Sequence, residues 1–150
     1  MSHAVIRIAS PQEFPKLREA YLGWGYHAGI ADEDRVYVAE CGVAVAGVVR
    51  RTCEHGVTML RGMQVAPARQ RQGIGRAVLQ AFVRDLPGKV CYCIPYAHLV
   101  GFYGSVGFQP DAEEDVPSFL RARLAGYRAD GLDVLVMCRR PVDVDPHPAG

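Results

Sequence analysis

Arg69-Gln70-Arg71-Gln72-Gly73-Ile74-Gly75-Arg76 sits between a strand-like run, Val57 to Val65, and a helix-like run, Ala77 to Leu86. A strand, a glycine turn bearing Arg69, Arg71 and Arg76, and then a helix form a place to hold phosphate. The first amides of a helix lack acceptors and point outward, where the helix dipole favours negative charge. Glycine lets the backbone come close to an anion and adopt positive φ at little cost. An ordinary tight turn would use the same glycines, but the flanking strand, the helix and the arginines together favour a phosphorylated ligand.

Two common phosphate motifs do not fit. A Walker-type loop needs Lys-Ser/Thr after its last glycine, and Arg76-Ala77 follows Gly75. A dinucleotide fingerprint needs a small residue three positions past the second glycine, and that residue is Val78. Gly23-Trp24-Gly25-Tyr26-His27-Ala28 has the fingerprint letters but follows a helical pattern rather than a strand.

The 150 residues suit one domain, expected over 1–140, followed by a disordered tail over 141–150 with three prolines. A charged fraction of 22% and a hydrophobic fraction of 49% describe a globular chain. The net charge of +1 provides no global field for nucleic acid. No apolar run approaches the ~20 residues that span a bilayer, so no membrane partner is expected. Met1-Ser2-His3-Ala4 shows no secretory pattern, and five cysteines read as reduced thiols, which points to the cytoplasm.

Outward from the turn, Val5–Ala9 reads as a strand, and Ser10-Pro11-Gln12-Glu13 as the capped start of a helix broken by Gly23-Trp24-Gly25. Tyr26 to Ala31 reads as a loop or short helix. Strands follow at Arg35–Glu40, Val43–Thr52 and Val57–Val65, joined at Cys41-Gly42 and Glu54-His55-Gly56. Beyond the turn helix come a strand over Lys89–Ile94, helices over Pro95–Val106 and Pro117–Ala129, and a strand over Leu132–Cys138. The class is α/β.

Gln70-x-x-Gly73-x-Gly75, after Met63-Gln64-Val65 and Pro67, resembles the acetyl-CoA signature of the GNAT N-acetyltransferases. Gly101-Phe102-Tyr103-Gly104-Ser105-Val106-Gly107-Phe108, about 30 residues on, is similar to that family's second signature. The resemblance implies a strongly twisted mixed sheet of six or seven strands flanked by helices. It implies acetyl-CoA as co-substrate and a primary amine of a small molecule or peptide as acceptor. It implies that the backbone of Met63, Gln64 and Val65 binds the pantetheine arm. Arg71, Gln72, Gly73, Ile74, Gly75 and Arg76 would cradle the pyrophosphate. Tyr103, a phenol with an ordinary pKa of about 10, would protonate the leaving thiolate. A homodimer is also compatible with it.

Some positions depart from that pattern. Tyr96 stands where many members carry an asparagine that contacts the cofactor. Met59, Arg61 and Met63 alternate along one strand face with no carboxylate among them, which leaves Glu40, Glu54 and His98 as candidate bases. Arg61, placed by the same alternation with Met63 and Val65, could grip a carboxylate or phosphate of the acceptor, or pair with an acid of its own chain. Trp24 and Tyr26, with Tyr21 and His27, could cover an apolar acceptor or pack as core. Cys91-x-Cys93 lacks the spacing of a zinc chelate, so no metal is expected. A non-catalytic acyl-CoA sensor or scaffold is the alternative from another class. A nucleic-acid binder using Arg69 to Arg76 is a third.

Overall fold

A computed structural model describes residues 4–27 and 29–141. The expected tail beyond Pro141 and the Ala28 position lie outside the described residues. The chain divides into two compact units between Leu86 and Pro87. The described residues carry seven strands and four α-helices, a mixed α/β fold.

The first unit is an antiparallel meander of β1 (Val5–Ile8), β2 (Arg35–Cys41), β3 (Ala44–Glu54) and β4 (Val57–Val65). Valine-rich alternation gives β2 and β3 two buried faces. The β3–β4 hairpin closes through His55 and Gly56, both at positive φ (51° and 75°), with Glu54 opposite Val57. Two positive φ values in a two-residue loop match the right-handed twist of the strands.

One face of the meander packs on α1 (Phe14–Gly23), through Phe14, Leu17 and Tyr21 against Val36, Val38 and Val48. The Ser10 amide donates to Glu13 Oε2 at 2.7 Å, which anchors the entry to this helix as the capping residues predict. The other face packs on α2 (Ile74–Arg84), whose buried residues Ile74, Val78, Leu79 and Phe82 recur at helical spacing. Burying four such side chains contributes on the order of 6–12 kcal/mol before entropy is counted. Gly47 lets α2 lie close: a Cβ there would sit 3.2 Å from Ile74 Cγ2 and 3.5 Å from Val78 Cγ2.

The second unit holds β5 (Cys91–Cys93), α3 (Val100–Gly104), β6 (Gln109–Pro110), α4 (Ser118–Ala129) and β7 (Met137–Arg139), with β7 antiparallel to both β5 and β6. Several elements are shorter than their sequence pattern suggests. The helix expected over Pro95–Val106 is a 3-10 turn, Ala97–Leu99, and the five residues of α3. Glycines at 101 and 104 weaken that helix. The strand expected from Leu132 keeps only a bridge between Tyr96 and Val134 before β7 begins. The pair Gln109–Pro110 was not expected to form a strand, because two residues leave no periodicity to read. No described helix is long and apolar enough to cross a membrane.

Asp85 caps the C-terminal end of α2, where the helix dipole disfavours a negative charge. Neighbours offset this: the Tyr37 hydroxyl donates to Asp85 Oδ2, Arg35 Nε donates to the same oxygen at 2.5 Å, and Arg51 Nη1 donates to the Asp85 carbonyl at 3.0 Å. Hydrogen bonds from Tyr37 first, and then Arg35, hold the Asp85 carboxyl below its ordinary range. Burial first, and then Asp85, pushes the Tyr37 phenol up to about 12. The signs set a window. The stability from Asp85 is complete above about pH 4, and it is lost as pH falls through the lowered native value. The stability from Tyr37 is complete below about pH 10, and it is lost as pH rises towards the raised native value. Urea midpoints measured from acid to alkaline pH should show both limbs, and Tyr37→Phe should make the alkaline one shallower, the buried Tyr21 and Cys93 supplying the rest.

Candidate functional site

After β4 the chain makes a 3-10 turn, Pro67–Arg69, and Gln70 is extended. Arg71 then takes a left-handed φ of 65°, and Gly73, at φ 79°, is the N-cap of α2. The first helical bond runs from the Ala77 amide to the Gly73 carbonyl at 3.1 Å. Helix geometry therefore leaves the amides of Ile74, Gly75 and Arg76 without intrahelical acceptors. Nothing lies within 4 Å of the position a Gly73 Cβ would take, so the space beside that residue is open.

Two glutamines brace the turn from behind. Gln70 Nε2 donates to the Val65 carbonyl at 3.3 Å, and Gln72 Nε2 to the Ala68 carbonyl at 3.5 Å. Arg71 and Arg76 are exposed, and the Ile74 side chain is buried under α2. Ile74 can therefore offer a ligand only its amide. The turn thus combines unpaired amides, a helix dipole and two exposed guanidiniums, a composition that suits a diphosphate.

The strand leading into the turn is irregular. Gln64 lies opposite Val48 and Arg61 opposite Arg50, so Gly62 and Met63 both face the single residue Val49. This is a β-bulge, and Gly62 takes its left-handed residue at φ 65°. The extra residue shifts the alternation. Directly opposed residues share a face, and Val48 belongs to the core beneath α1. Arg61 and Gln64 therefore lie on the α1 face, while Val65, opposite Gly47, lies on the α2 face. Simple alternation, which groups Arg61 with Met63 and Val65, is overturned by the bulge. A glycine inside a strand pattern is the signal that could have shown it.

On the α1 face, Arg61 Nη1 lies 3.4 Å from both oxygens of Glu54, and Thr52 Oγ1 donates to Glu54 Oε2 at 3.0 Å. Arg61 thus meets an acid of its own chain. Trp24 and Tyr26 pack against the α1 core, with Tyr21 ring centroids 6.3 Å and 4.7 Å away. Of the other candidate bases, Glu40 accepts a hydrogen bond from Arg7 at 2.6 Å, and His98 stacks on Tyr96 at 5.8 Å.

In the second unit, Tyr103 is 6% exposed and sits edge-on to Phe102 and Phe108, with centroids 5.1 Å and 6.1 Å away. Tyr96 is 47% exposed. Cys91, Cys93 and Cys138 are free and buried, and burial pushes the Cys93 thiol well up. A thiol in that state is a poor nucleophile. The described residues contain no cluster of three or more metal-ligating side chains.

A family model described as an acetyltransferase (GNAT) domain matches residues 32–110, more than half of the chain. The chain belongs to the GNAT acetyltransferase family. No curated protein matches the sequence. Solved structures match the GNAT chain closely in fold but distantly in sequence. One is the ribosomal-protein-S18-alanine N-acetyltransferase of Escherichia coli, with TM-score 0.68, 16% identity, and coverage of 97% of this chain and 99% of that one. Another is Rv2747 of Mycobacterium tuberculosis, crystallised with CoA, with TM-score 0.69, 16% identity, and coverage of 92% and 99%. A third is N-acetylglutamate synthase of Neisseria gonorrhoeae, crystallised with coenzyme A and N-acetyl-glutamate, at TM-score 0.67 and 16% identity. This GNAT chain covers 93% of its own length in that match but only 35% of the synthase chain.

A left-handed arginine stores strain beside the open amides of the GNAT turn, and such strain is a pointer to function. Arg71→Gly should relieve about 1–2 kcal/mol of αL strain against about 0.5–1 kcal/mol of added chain entropy. Urea unfolding of that variant is expected to show equal or slightly higher stability. A loss above about 1 kcal/mol would mean that the guanidinium anchors the turn.

Proposed function

We propose that this GNAT chain is an acetyl-CoA-dependent N-acetyltransferase that moves an acetyl group to a primary amine of a small molecule or peptide. The observation that carries the proposal is the turn at Arg71–Arg76, where a left-handed glycine with open space beside it starts a helix whose first amides lack intrahelical acceptors. The amides of Gly73, Ile74, Gly75 and Arg76, with the side chains of Arg71 and Arg76 and the Gln72 brace, hold the pyrophosphate. The backbone of Met63, Gln64 and Val65 receives the pantetheine arm as an added strand. The CoA-bound neighbours support this choice of nucleotide.

The reaction is direct attack. A neutral amine nitrogen forms the new C–N bond at the thioester carbonyl, backbone N–H groups steady the oxyanion, and the C–S bond breaks. Tyr103 gives its proton to the leaving thiolate, a role that rests on the family signature around it. The surplus proton of the amine leaves to water. The buried Cys93 thiol supports attack by the amine itself over a covalent cysteine route. Arg61 holds an acceptor carboxylate or phosphate by exchanging Glu54 for it, since their 3.4 Å contact is long for a charge-assisted bond. Trp24 and Tyr26 line the acceptor side. The protein acts in the cytoplasm.

Calorimetric titration with coenzyme A should give binding that weakens in Arg71→Ala and Arg76→Ala. In single-turnover assays with acetyl-CoA and a panel of amino acids, polyamines and short peptides, Tyr103→Phe should slow acetyl transfer by roughly 10²-fold with little change in affinity for coenzyme A. The absence of heat with coenzyme A would end the proposal. Binding without acetyl transfer to any amine, indifferent to Tyr103→Phe, would identify a sensor domain instead.

A further inference from the structure

The bulge in β4 is clamped from the α1 side. The buried Tyr21 hydroxyl donates to the Gly62 carbonyl at 2.6 Å. Behind it lies Arg50, whose Nη1 donates to Asp34 Oδ2 at 3.0 Å and to the Gly29 carbonyl at 2.9 Å. Arg50 Nη2 donates to the Tyr26 hydroxyl at 3.3 Å, and the guanidinium carbon lies 5.9 Å from the Tyr21 ring centroid. The fit at Gly62 is close, and any side chain there would push Tyr21 or Arg50 aside. A Cβ there would lie 2.6 Å from the Tyr21 hydroxyl oxygen and 2.9 Å from Arg50 Nε.

This cluster is a costly way to build a core. The side chains of Arg50 and Asp34 are 5% and 4% exposed. A buried ion pair of this kind is weak evidence for stability, since apolar residues of similar volume often serve as well. Arg50 Nε is also buried with no hydrogen-bond partner, a further cost. What the cluster does supply is direction. A trans peptide is planar, so its C=O and N–H point opposite ways. Holding the Gly62 carbonyl towards α1 turns the Met63 N–H away from α1. A carbonyl that accepts a hydrogen bond also polarises its own peptide, which strengthens the N–H as a donor.

We infer that Tyr21, braced by Arg50 and Asp34, is a positioning residue for acetyl transfer: it aims the Met63 N–H at the thioester carbonyl and tunes its strength as an oxyanion donor. The inference rests on the acetyltransferase reading above. Tyr21 touches no reacting atom. Burial pushes its phenol well above the ordinary range, so it stays a donor throughout the working pH range.

Tyr21→Phe removes one hydroxyl and keeps the ring, so it tests the aim directly. With the most reactive amine of the panel, kcat should fall about ten-fold, a part of the roughly 10²–10³ lost when an oxyanion donor is deleted outright. KM for acetyl-CoA and the affinity for coenzyme A should stay within about two-fold, since the diphosphate turn is untouched. In ¹⁵N-labelled full-length protein, acetyl-CoA should move the Met63 amide proton downfield in the parent and clearly less in Tyr21→Phe, with equal shifts for the amides of 73–76. Arg50→Lys, which keeps a cation beside Asp34, should lower kcat in the same sense. An unchanged kcat, or an unchanged Met63 shift, would overturn the inference while leaving the acetyltransferase reading standing. A parent that gives no heat with coenzyme A would bring down both.

Discussion

The left-handed backbone at Gly62 is the constraint from which the rest of β4 takes its shape. Without the extra residue there, the strand would continue its alternation and every side chain beyond it would change face. With it, Arg61 and Gln64 turn towards α1, and Val65 reaches the α2 face opposite Gly47. The bulge is held by a tyrosine from α1 and an arginine from β3, residues 41 and 12 positions away in sequence from Gly62. Local propensity could not hold such a kink alone, because the bulged residue's carbonyl leaves the ladder and needs another partner.

The helix after the strand is anchored at both ends by different physics. Its start is an open set of amides, with the Ile74 side chain locked beneath and Gly47 giving it room to sit low. Its end is closed by Tyr37, Arg35 and Arg51 around Asp85. The closed end makes the helix a fixed support for the unpaired amides at its open end. The family match and the shared fold of the neighbours place this support within an acetyltransferase architecture.

Much of this was legible in the sequence. The run from Val57 to Leu86 reads as strand, turn and helix, with the helix expected from Ala77; the structure has β4 at Val57–Val65 and begins α2 earlier, at Ile74. The hairpins at Gly42 and Gly56 follow from turn chemistry alone. Three features did not show. Gly47 looks like a weak point in a valine strand until α2 is laid on it. Arg50 looks like a surface charge until Asp34 closes over it. Gln109–Pro110 is too short for any period.

The sequence by itself determined the α/β class, the family signatures and the residues of the glycine turn. These depend on neighbours in the chain: capping, glycine φ and helical spacing act within a few residues. Tertiary structure alone decided which face Arg61 takes, that it meets Glu54, and that Tyr21 grips the Gly62 carbonyl. Those outcomes depend on strand register and on contacts between distant segments, and a one-residue bulge is enough to reverse what alternation predicts.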